Sequence, residues 1–364
     1  MGAVGSQTLA DPGSLGMEGA AMLRWGLVST ARINDRLLDA VARSERSQFI
    51  AVASRDGQRA RAYADRWELP IAFGSYAEML ECDELDAVYI SLPNDQHAEW
   101  SVRFADAGKH VLCEKPLALS TAEVDEMMAA AARNSVVIQE ALATRFHPQT
   151  ARVAGLIAGG TLGRVIFGEG VFDFTMPNTT DIRLDPELGG GAMWDVGCYV
   201  VAFYQAVLGE DPVRASAHAV WGPTGVDLAF AGSLSYPSGA CVQFTASMIT
   251  PVARLARIVG EQGTLILDQP WLTNIGALTT VQQEVVRQSM GEGTFGDEPG
   301  TIERTAWDHG PSDVYIDQLT AFEDMVISGV SSPYPLRDSR TNVAVITALL
   351  HSARTGEQVT IPRS

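Results

Sequence analysis

The chain has 364 residues, 46% of them hydrophobic, and its 26 Lys and Arg against 44 Asp and Glu give a net charge of −18. The length suggests about two domains of ordinary soluble composition, and the charge argues against general nucleic-acid or anionic-membrane binding. No apolar run approaches the roughly 20 residues that span a bilayer, and Cys82, Cys113, Cys198 and Cys241 lie far apart without metal or redox spacing, as expected of reduced thiols in a cytoplasmic protein.

Residues 1–22 are rich in Gly, Ala and Ser and lack the basic and apolar regions of a signal peptide. They read as a disordered leader, with Met17 or Met22 as alternative starts. From Leu23 the pattern alternates. Leu23–Ser29 and Phe49–Ala53 read as strands, Ile33–Ala42 and Gly57–Trp67 as helices. Ile71–Phe73 and Ser75–Leu80 form a short strand and helix. Ala87–Leu92 is a strand, His97–Ala107 a helix and His110–Cys113 a strand. Ser120 and Glu123 stand at capping-box spacing at the head of a helix to Arg133, and Val136–Glu140 is a further strand. Strands alternating with helices imply a parallel sheet with crossover helices.

The rhythm changes after about residue 165. Val165–Phe174, Arg214–Trp221, Leu228–Ser235, Cys241–Ser247 and Ala256–Ile266 read as strands of a mostly antiparallel sheet, with turn signals at Pro237-Ser238-Gly239 and Glu261-Gln262-Gly263. Gly189-Gly190-Gly191 precedes a helix to about Leu208. Thr273–His309 is hard to read, and Asp313–Ser328 and Ser339–Arg354 are helical. The expected fold is α/β plus α+β: a Rossmann parallel sheet over 23–143, then an open, mostly antiparallel sheet domain for substrate and oligomerisation over 144–335. Residues 336–364 form a helix and tail that can pack back toward the first domain.

The first strand runs into Ser29-Thr30-Ala31-Arg32-Ile33-Asn34. A dinucleotide turn wants glycines where Ser29, Ala31 and Asn34 stand, for a tight turn and close approach to pyrophosphate. All three are absent, although helix-start amides can still face a phosphate. After the second strand comes Ser54-Arg55-Asp56. An acid near there reads a ribose 2′-hydroxyl, whereas an arginine accommodates a 2′-phosphate. Ser54, Arg55 and Arg59 therefore favour NADP(H) over NAD(H). Leu92, Pro93, Asn94 and His97 lie just beyond the fourth strand, where ligands of such sheets bind.

Only two lysines occur, Lys109 and Lys115, against 24 arginines. A lysine amine is compact and can be tuned, whereas arginine holds its proton. Lys115, in Glu114-Lys115-Pro116 after the fifth strand, is thus a candidate for chemistry. Asp195 and Tyr199 fall at i,i+4 on one helix face.

The Glu-Lys-Pro motif, with the Asp195-x-Gly197-x-Tyr199 helix downstream, resembles the glucose-fructose oxidoreductase / inositol dehydrogenase (Gfo/Idh/MocA) family over roughly residues 23–355. Tyr199, Glu140-Ala141, Arg145-Phe146-His147-Pro148 and Ile182-Arg183-Leu184-Asp185 look like the subgroup of dimeric dihydrodiol dehydrogenase and NADP-linked xylose dehydrogenase. The glycine loop departs from the family pattern. The resemblance implies hydride exchange between nicotinamide and a sugar or polyol hydroxyl, or the matching carbonyl. Tyr199 would be the acid/base, Lys115 its tuner, Asp195 an orienting acid and Glu114 a contact to the nicotinamide ribose. A cation at ~4 Å supplies about 4 kcal/mol at an effective dielectric near 20, enough to lower a tyrosine pKa by two to three units. Arg145, His147 and Arg183 are candidate substrate contacts. Alternatives are redox-assisted glycoside cleavage without net cofactor turnover, and a non-catalytic NADPH-binding protein. A homodimer or homotetramer is expected, with a carbohydrate-like small molecule as substrate and no metal.

Overall fold

The computed structural model describes residues 22–177, 180–271, 279–287, 301–309 and 313–362. The expected leader lies outside them, apart from Met22. The first half alternates as the sequence implies: β1 Leu23–Val28, α1 Asn34–Val41, β2 Ser47–Ala53, α2 Gly57–Trp67, β3 Ile71–Phe73, α3 Tyr76–Leu80, β4 Ala87–Ile90, α4 His97–Asp106, β5 His110–Glu114, α5 Thr121–Asn134 and β6 Ile138–Ala141. These strands form a parallel six-stranded sheet in the order β3-β2-β1-β4-β5-β6. Their apolar runs are buried because helices cover both faces. The capping box at Ser120 and Glu123 is present. Asp56 caps α2 by accepting from the amides of Gln58 and Arg59.

The second half comprises α6 Pro148–Ala158, β7 Val165–Thr175, a π-helical turn Met193–Gly197, α7 Cys198–Leu208, β8 Arg214–Trp221, β9 Asp227–Ser235, β10 Cys241–Ser247, β11 Ile249–Gly260, β12 Gly263–Leu267, β13 Thr279–Arg287, β14 Thr301–His309, α8 Val314–Ser328, α9 Leu336–Thr355 and β15 Val359–Thr360. The strands form one nine-stranded sheet, β14-β13-β12-β11-β7-β10-β9-β8-β15. It is antiparallel except for β10 beside β7. The single strand expected over Ala256–Ile266 is instead a hairpin, β11 and β12, because the Glu261-Gln262 turn interrupts the ladder. The unreadable stretch supplies β13 and β14. The remainder of Thr273–His309 lies outside the described residues.

α8 packs on the first sheet although the chain reaches it only after the second. Leu319, Phe322 and Met325 join the core cluster of Trp25, Leu27 and Leu37. Phe322 lies 4.9 Å from the Trp25 ring, and burying such side chains stabilises by about 1.5–3 kcal/mol each. Arg46 pairs with Glu323 and Asp324 at the edge of this contact. α9 also bridges the halves, since Ser339 donates to Glu140 and Arg340 pairs with Asp125. These contacts fix the cleft between the two sheets.

Candidate active site

The carboxyl ends of β1, β4 and β5 and the head of α7 open onto one cavity of about 980 Å³. Lys115 follows β5 and reaches across to the π-helical turn. Its Nζ donates to Asp195 twice, to Oδ1 at 2.9 Å and to the backbone carbonyl at 2.7 Å. It also stands 5.1 Å from the centre of the Tyr199 ring. Asp195 and Tyr199 thus face one lysine as expected. The wide π turn carries Asp195 and α7 begins beyond it, rather than one regular helix bearing both. Such turns insert an extra residue and are frequent at functional sites.

Arg183 donates to the other Asp195 oxygen at 2.7 Å and to Asp181 at 3.2 Å. It is held there by the glycines. The amides of Gly190 and Gly191 donate to the carbonyls of Asp185 and Arg183, and a Cβ on Gly190 would stand 2.4 Å from the Arg183 oxygen. Gly191 has φ +123° and packs against Asp227, whose carboxylate would meet a Cβ at 2.2 Å. Buried Asp227 in turn accepts from the Met193 amide at 2.7 Å and so anchors the start of the π turn that bears Asp195 and leads into α7. Burial pushes its carboxyl up to about 6.

The electrostatics follow from this packing. Burial pulls the Lys115 ammonium down, but Asp195 and the neighbouring hydroxyl and thiol groups overcome it and hold the lysine charged. Burial raises Asp195, and Lys115 with Arg183 reverses that shift and keeps it below the usual carboxylate range. Tyr199 corrects an expectation. Burial raises its phenol well above the ordinary value, and Lys115 lowers it only in part. The cation lies over the ring, where it meets the quadrupole, and desolvation wins. Glu114 accepts from the Tyr89 hydroxyl; burial raises its carboxyl against the pull of Lys115.

The glycine-less turn is built from hydrogen bonds. Ser29 holds φ +131°, a region that side chains rarely adopt. The Ala31 amide donates to Ser29 Oγ at 3.0 Å, and the Ser29 and Ser91 hydroxyls meet at 2.7 Å. Ser91 donates to Asn34 Oδ1 at 2.6 Å, and Asn34 Nδ2 closes the circuit on the Ser29 carbonyl at 2.9 Å. Asn34, at the place of the third glycine, is 0% exposed. His97 is buried with its ring nitrogens 2.8 Å from the carbonyls of Leu92 and Pro116. It straps the turn after β4 to the turn after β5.

Of the residues singled out from the sequence, Ala31, Arg32, Ile33, Leu92, Asn94 and His97 line the main cavity. Glu114, Lys115, Arg183, Asp195 and Tyr199 join them. Thr30, Arg32 and Arg59 line a smaller adjoining recess with Tyr63 and Arg66. Ser54 is buried and accepts from the Asp56 amide at 3.3 Å, so it shapes the turn at α2, and Arg55 beside it is exposed. Pro93 precedes the short 3-10 turn Asn94–Gln96. Two substrate candidates lie outside the cavity lining. Arg145 is 3% exposed and lies against Glu140, Gln205 and the Tyr334 ring, away from the cavity lining. His147 is buried and caps α6 by accepting from the Gln149 amide. Sequence reasoning missed Phe172, Phe174, Asp181, Arg254 and Tyr315, all of which line the cavity. Alternation along β7 and β11 marks Phe172 and Arg254 as facing one way, but nothing local marks Tyr315, which arrives on α8.

A parallel sheet of this strand order with an open cleft at its strand ends has the architecture of a dinucleotide-binding fold. Comparisons agree. Residues 23–142 match the family model described as an oxidoreductase family with an NAD-binding Rossmann fold, and residues 150–266 match the GFO/IDH/MocA C-terminal domain. D-xylose 1-dehydrogenase (NADP(+)) 2 of Haloferax volcanii is 34% identical over 93% of this chain and 99% of its own. The trans-1,2-dihydrobenzene-1,2-diol dehydrogenase of Homo sapiens is 34% identical over 68% of this chain and 75% of its own. A 3-ketoreductase from Actinomadura kijaniata, solved with NADP and TDP-benzene, matches with a TM-score of 0.81 at 25% identity, over 91% of this chain and 98% of that one. The chain belongs to the Gfo/Idh/MocA family. It is a dehydrogenase or reductase of the sugar-dehydrogenase type, acting on CH–OH groups.

Proposed function

We propose that the protein is an NADP(H)-dependent oxidoreductase that interconverts a sugar or polyol hydroxyl and its carbonyl, with Tyr199 as acid/base and Lys115 as its electrostatic partner. The observation that carries the reading is Lys115 held at once against Asp195 and over the Tyr199 ring. The Actinomadura reductase has been solved with a tyrosine and with a lysine substituted, and those two positions lie as far apart along its sequence as Lys115 and Tyr199 do here. When bound, the nicotinamide supplies or accepts the hydride. The residues supply the proton. A phenol raised by burial is protonated at neutral pH, so Tyr199 is ready to give its proton to the oxygen of a carbonyl being reduced. In the opposite direction it takes the hydroxyl proton, and Lys115 lowers the cost of the phenolate. Asp195 fixes Lys115, and Arg183 fixes Asp195 from the far side.

Two features support NADP(H). The recess at Thr30 carries Arg32, Arg59 and Arg66 against one acid, Asp35, which pairs with Arg66, so Arg32 and Arg59 leave it net positive in a chain of net charge −18. Asp56, the nearby acid, already commits its Oδ1 to two amides at the head of α2, which leaves only its Oδ2 for a 2′-hydroxyl. The Haloferax relative bears NADP(+) in its name, and the Actinomadura structure holds NADP. Exposed Phe167, Val220, Ile249 and Val252 on the nine-stranded sheet support the expected homo-oligomer.

The test is absorbance at the NADPH band with a panel of aldoses, polyols and dicarbonyls, run with NADP(H) and NAD(H). Net cofactor turnover with a sugar, at least tenfold better with NADP(H) and lost in Tyr199→Phe, is expected. Product release without net cofactor change would point instead to redox-assisted cleavage.

A further inference from the structure

Among the described residues, one cation at the substrate end of the cavity is left without an acidic partner. Three cations face it, Lys115, Arg183 and Arg254. Three carboxylates line it as well: Asp181 and Asp195, engaged by Arg183 and Lys115, and Glu114, which accepts from the Tyr89 hydroxyl. Arg254 is left over. Among the described residues it has no carboxylate partner, and its Nε is buried without a hydrogen-bond acceptor. Its guanidinium lies by the Phe172 ring, 5.9 Å from the guanidinium carbon to the centroid, near the outer limit of a useful cation–π distance. A guanidinium has five donors in a planar fork, and one weak ring contact satisfies none of them.

Its placement is equally specific. Arg254 on β11 pairs directly with Phe172 on β7, and Phe172 packs edge-on against Tyr199 at 5.3 Å. Phe174, two residues further along the same face of β7, also lines the cavity. Tyr199, an aromatic wall and a free guanidinium therefore follow one another along a single surface. A pyranose lying on the aromatic wall with its reacting carbon at Tyr199 turns its far end toward Arg254.

Resting on the redox reading above, we propose that Arg254 selects sugars that carry a carboxylate or phosphate at the end remote from the reacting carbon. The planar fork matches either group by paired charge-assisted hydrogen bonds. Arg254 is a specificity residue in this scheme and takes no part in the proton transfer.

The experiment compares glucose, glucuronate and glucose 6-phosphate, by NADP+ reduction and by calorimetric titration into NADP+-saturated protein. At least one of the two charged sugars is expected to exceed glucose by about tenfold or more in kcat/KM and in affinity, the size of one good charge-assisted contact. Which of the two leads identifies the anion. Arg254→Gln is expected to bring that ratio to within about twofold, chiefly through KM, and Arg254→Lys to restore part of it. Equal kcat/KM and affinity for all three sugars in the wild type would overturn the proposal, as would a ratio unmoved in a folded Arg254→Gln protein. If no sugar is turned over, the redox reading fails, and the titration still decides this one. Tighter binding of a charged sugar that depends on Arg254 upholds it, and its absence rejects it.

Discussion

The cofactor turn and the Lys115–Asp195–Tyr199 group solve the same problem, positioning polar groups at strand ends, by opposite means. In the catalytic group the side chains do the work, and their identities stay visible as Glu-Lys-Pro and Asp-x-Gly-x-Tyr. In the turn the backbone does the work. There the usual glycines are gone, and Ser29, Ser91 and Asn34 hold the same kind of turn by a closed ring of hydrogen bonds. A backbone geometry admits several chemical solutions, whereas a proton transfer admits few. The comparison predicts that substitutions in the first group destroy chemistry and spare the fold, and that substitutions in the second cost stability and cofactor affinity.

The largest effect belongs to Lys115. Lys115→Ala and Lys115→Arg are both expected to lower turnover at least about a hundredfold, or roughly 2.7 kcal/mol in barrier, while NADPH still quenches tryptophan fluorescence on binding. The arginine variant is the sharper of the two. It keeps the charge, but a planar fork cannot place one compact donor on both the carboxylate and the carbonyl of Asp195. Near-normal turnover in Lys115→Arg would reduce Lys115 to a generic cation.

Asn34→Ala attacks the other side of the comparison. It strips the partners of the Ser91 hydroxyl and the Ser29 carbonyl in a fully buried place, and unsatisfied buried groups cost about 1–3 kcal/mol. Chemical denaturation should show a loss of about 2 kcal/mol. With cofactor saturating, turnover should fall by less than about threefold. A larger fall in saturated turnover would show that the turn and the chemistry are not separable.

Asp227 shows that the catalytic region also leans on a hidden backbone device. Its carboxyl holds the Met193 amide at the start of the π turn that leads into α7, and burial raises it to about 6. A carboxyl raised in the folded state favours folding fully below its unfolded pKa and loses that contribution as pH rises through the folded value. Wild-type stability relative to Asp227→Asn should therefore grow by about 1 kcal/mol between pH 7 and pH 5. Urea midpoints at the two pH values measure it. A difference that shrinks toward pH 5 would reverse the sign and with it the burial argument.

Legibility in the sequence followed the same line. Strand and helix alternation fixed the first sheet because each strand is a compact apolar run between helices. The β11–β12 hairpin was missed because Ala256–Ile266 stays apolar on both sides of a short turn. Lys115, Asp195 and Tyr199 could be named because their two motifs together resemble those of a known family. Arg254 and Tyr315 could not, since each reaches the cavity from a distant strand or helix. Arg145 is a substrate candidate from its place in a motif, but its partners Glu140 and Gln205 come together only in the folded chain.

Ser29 offers the smallest and most direct test. Ser29→Gly removes a strained φ worth about 1–3 kcal/mol but also removes the acceptor of the Ala31 amide and adds backbone freedom to the unfolded chain. These terms nearly cancel, so stability should stay within about 1 kcal/mol of wild type. Ser29→Ala loses the same hydroxyl and keeps the strain. It should therefore be less stable than Ser29→Gly by about 1–2 kcal/mol, the reverse of the usual order in which alanine outranks glycine. The reversal depends on φ +131° at this one residue. If thermal melts place Ser29→Ala at or above Ser29→Gly, the turn does not hold a glycine-like backbone, and the proposed substitution of hydrogen bonds for glycines fails with it.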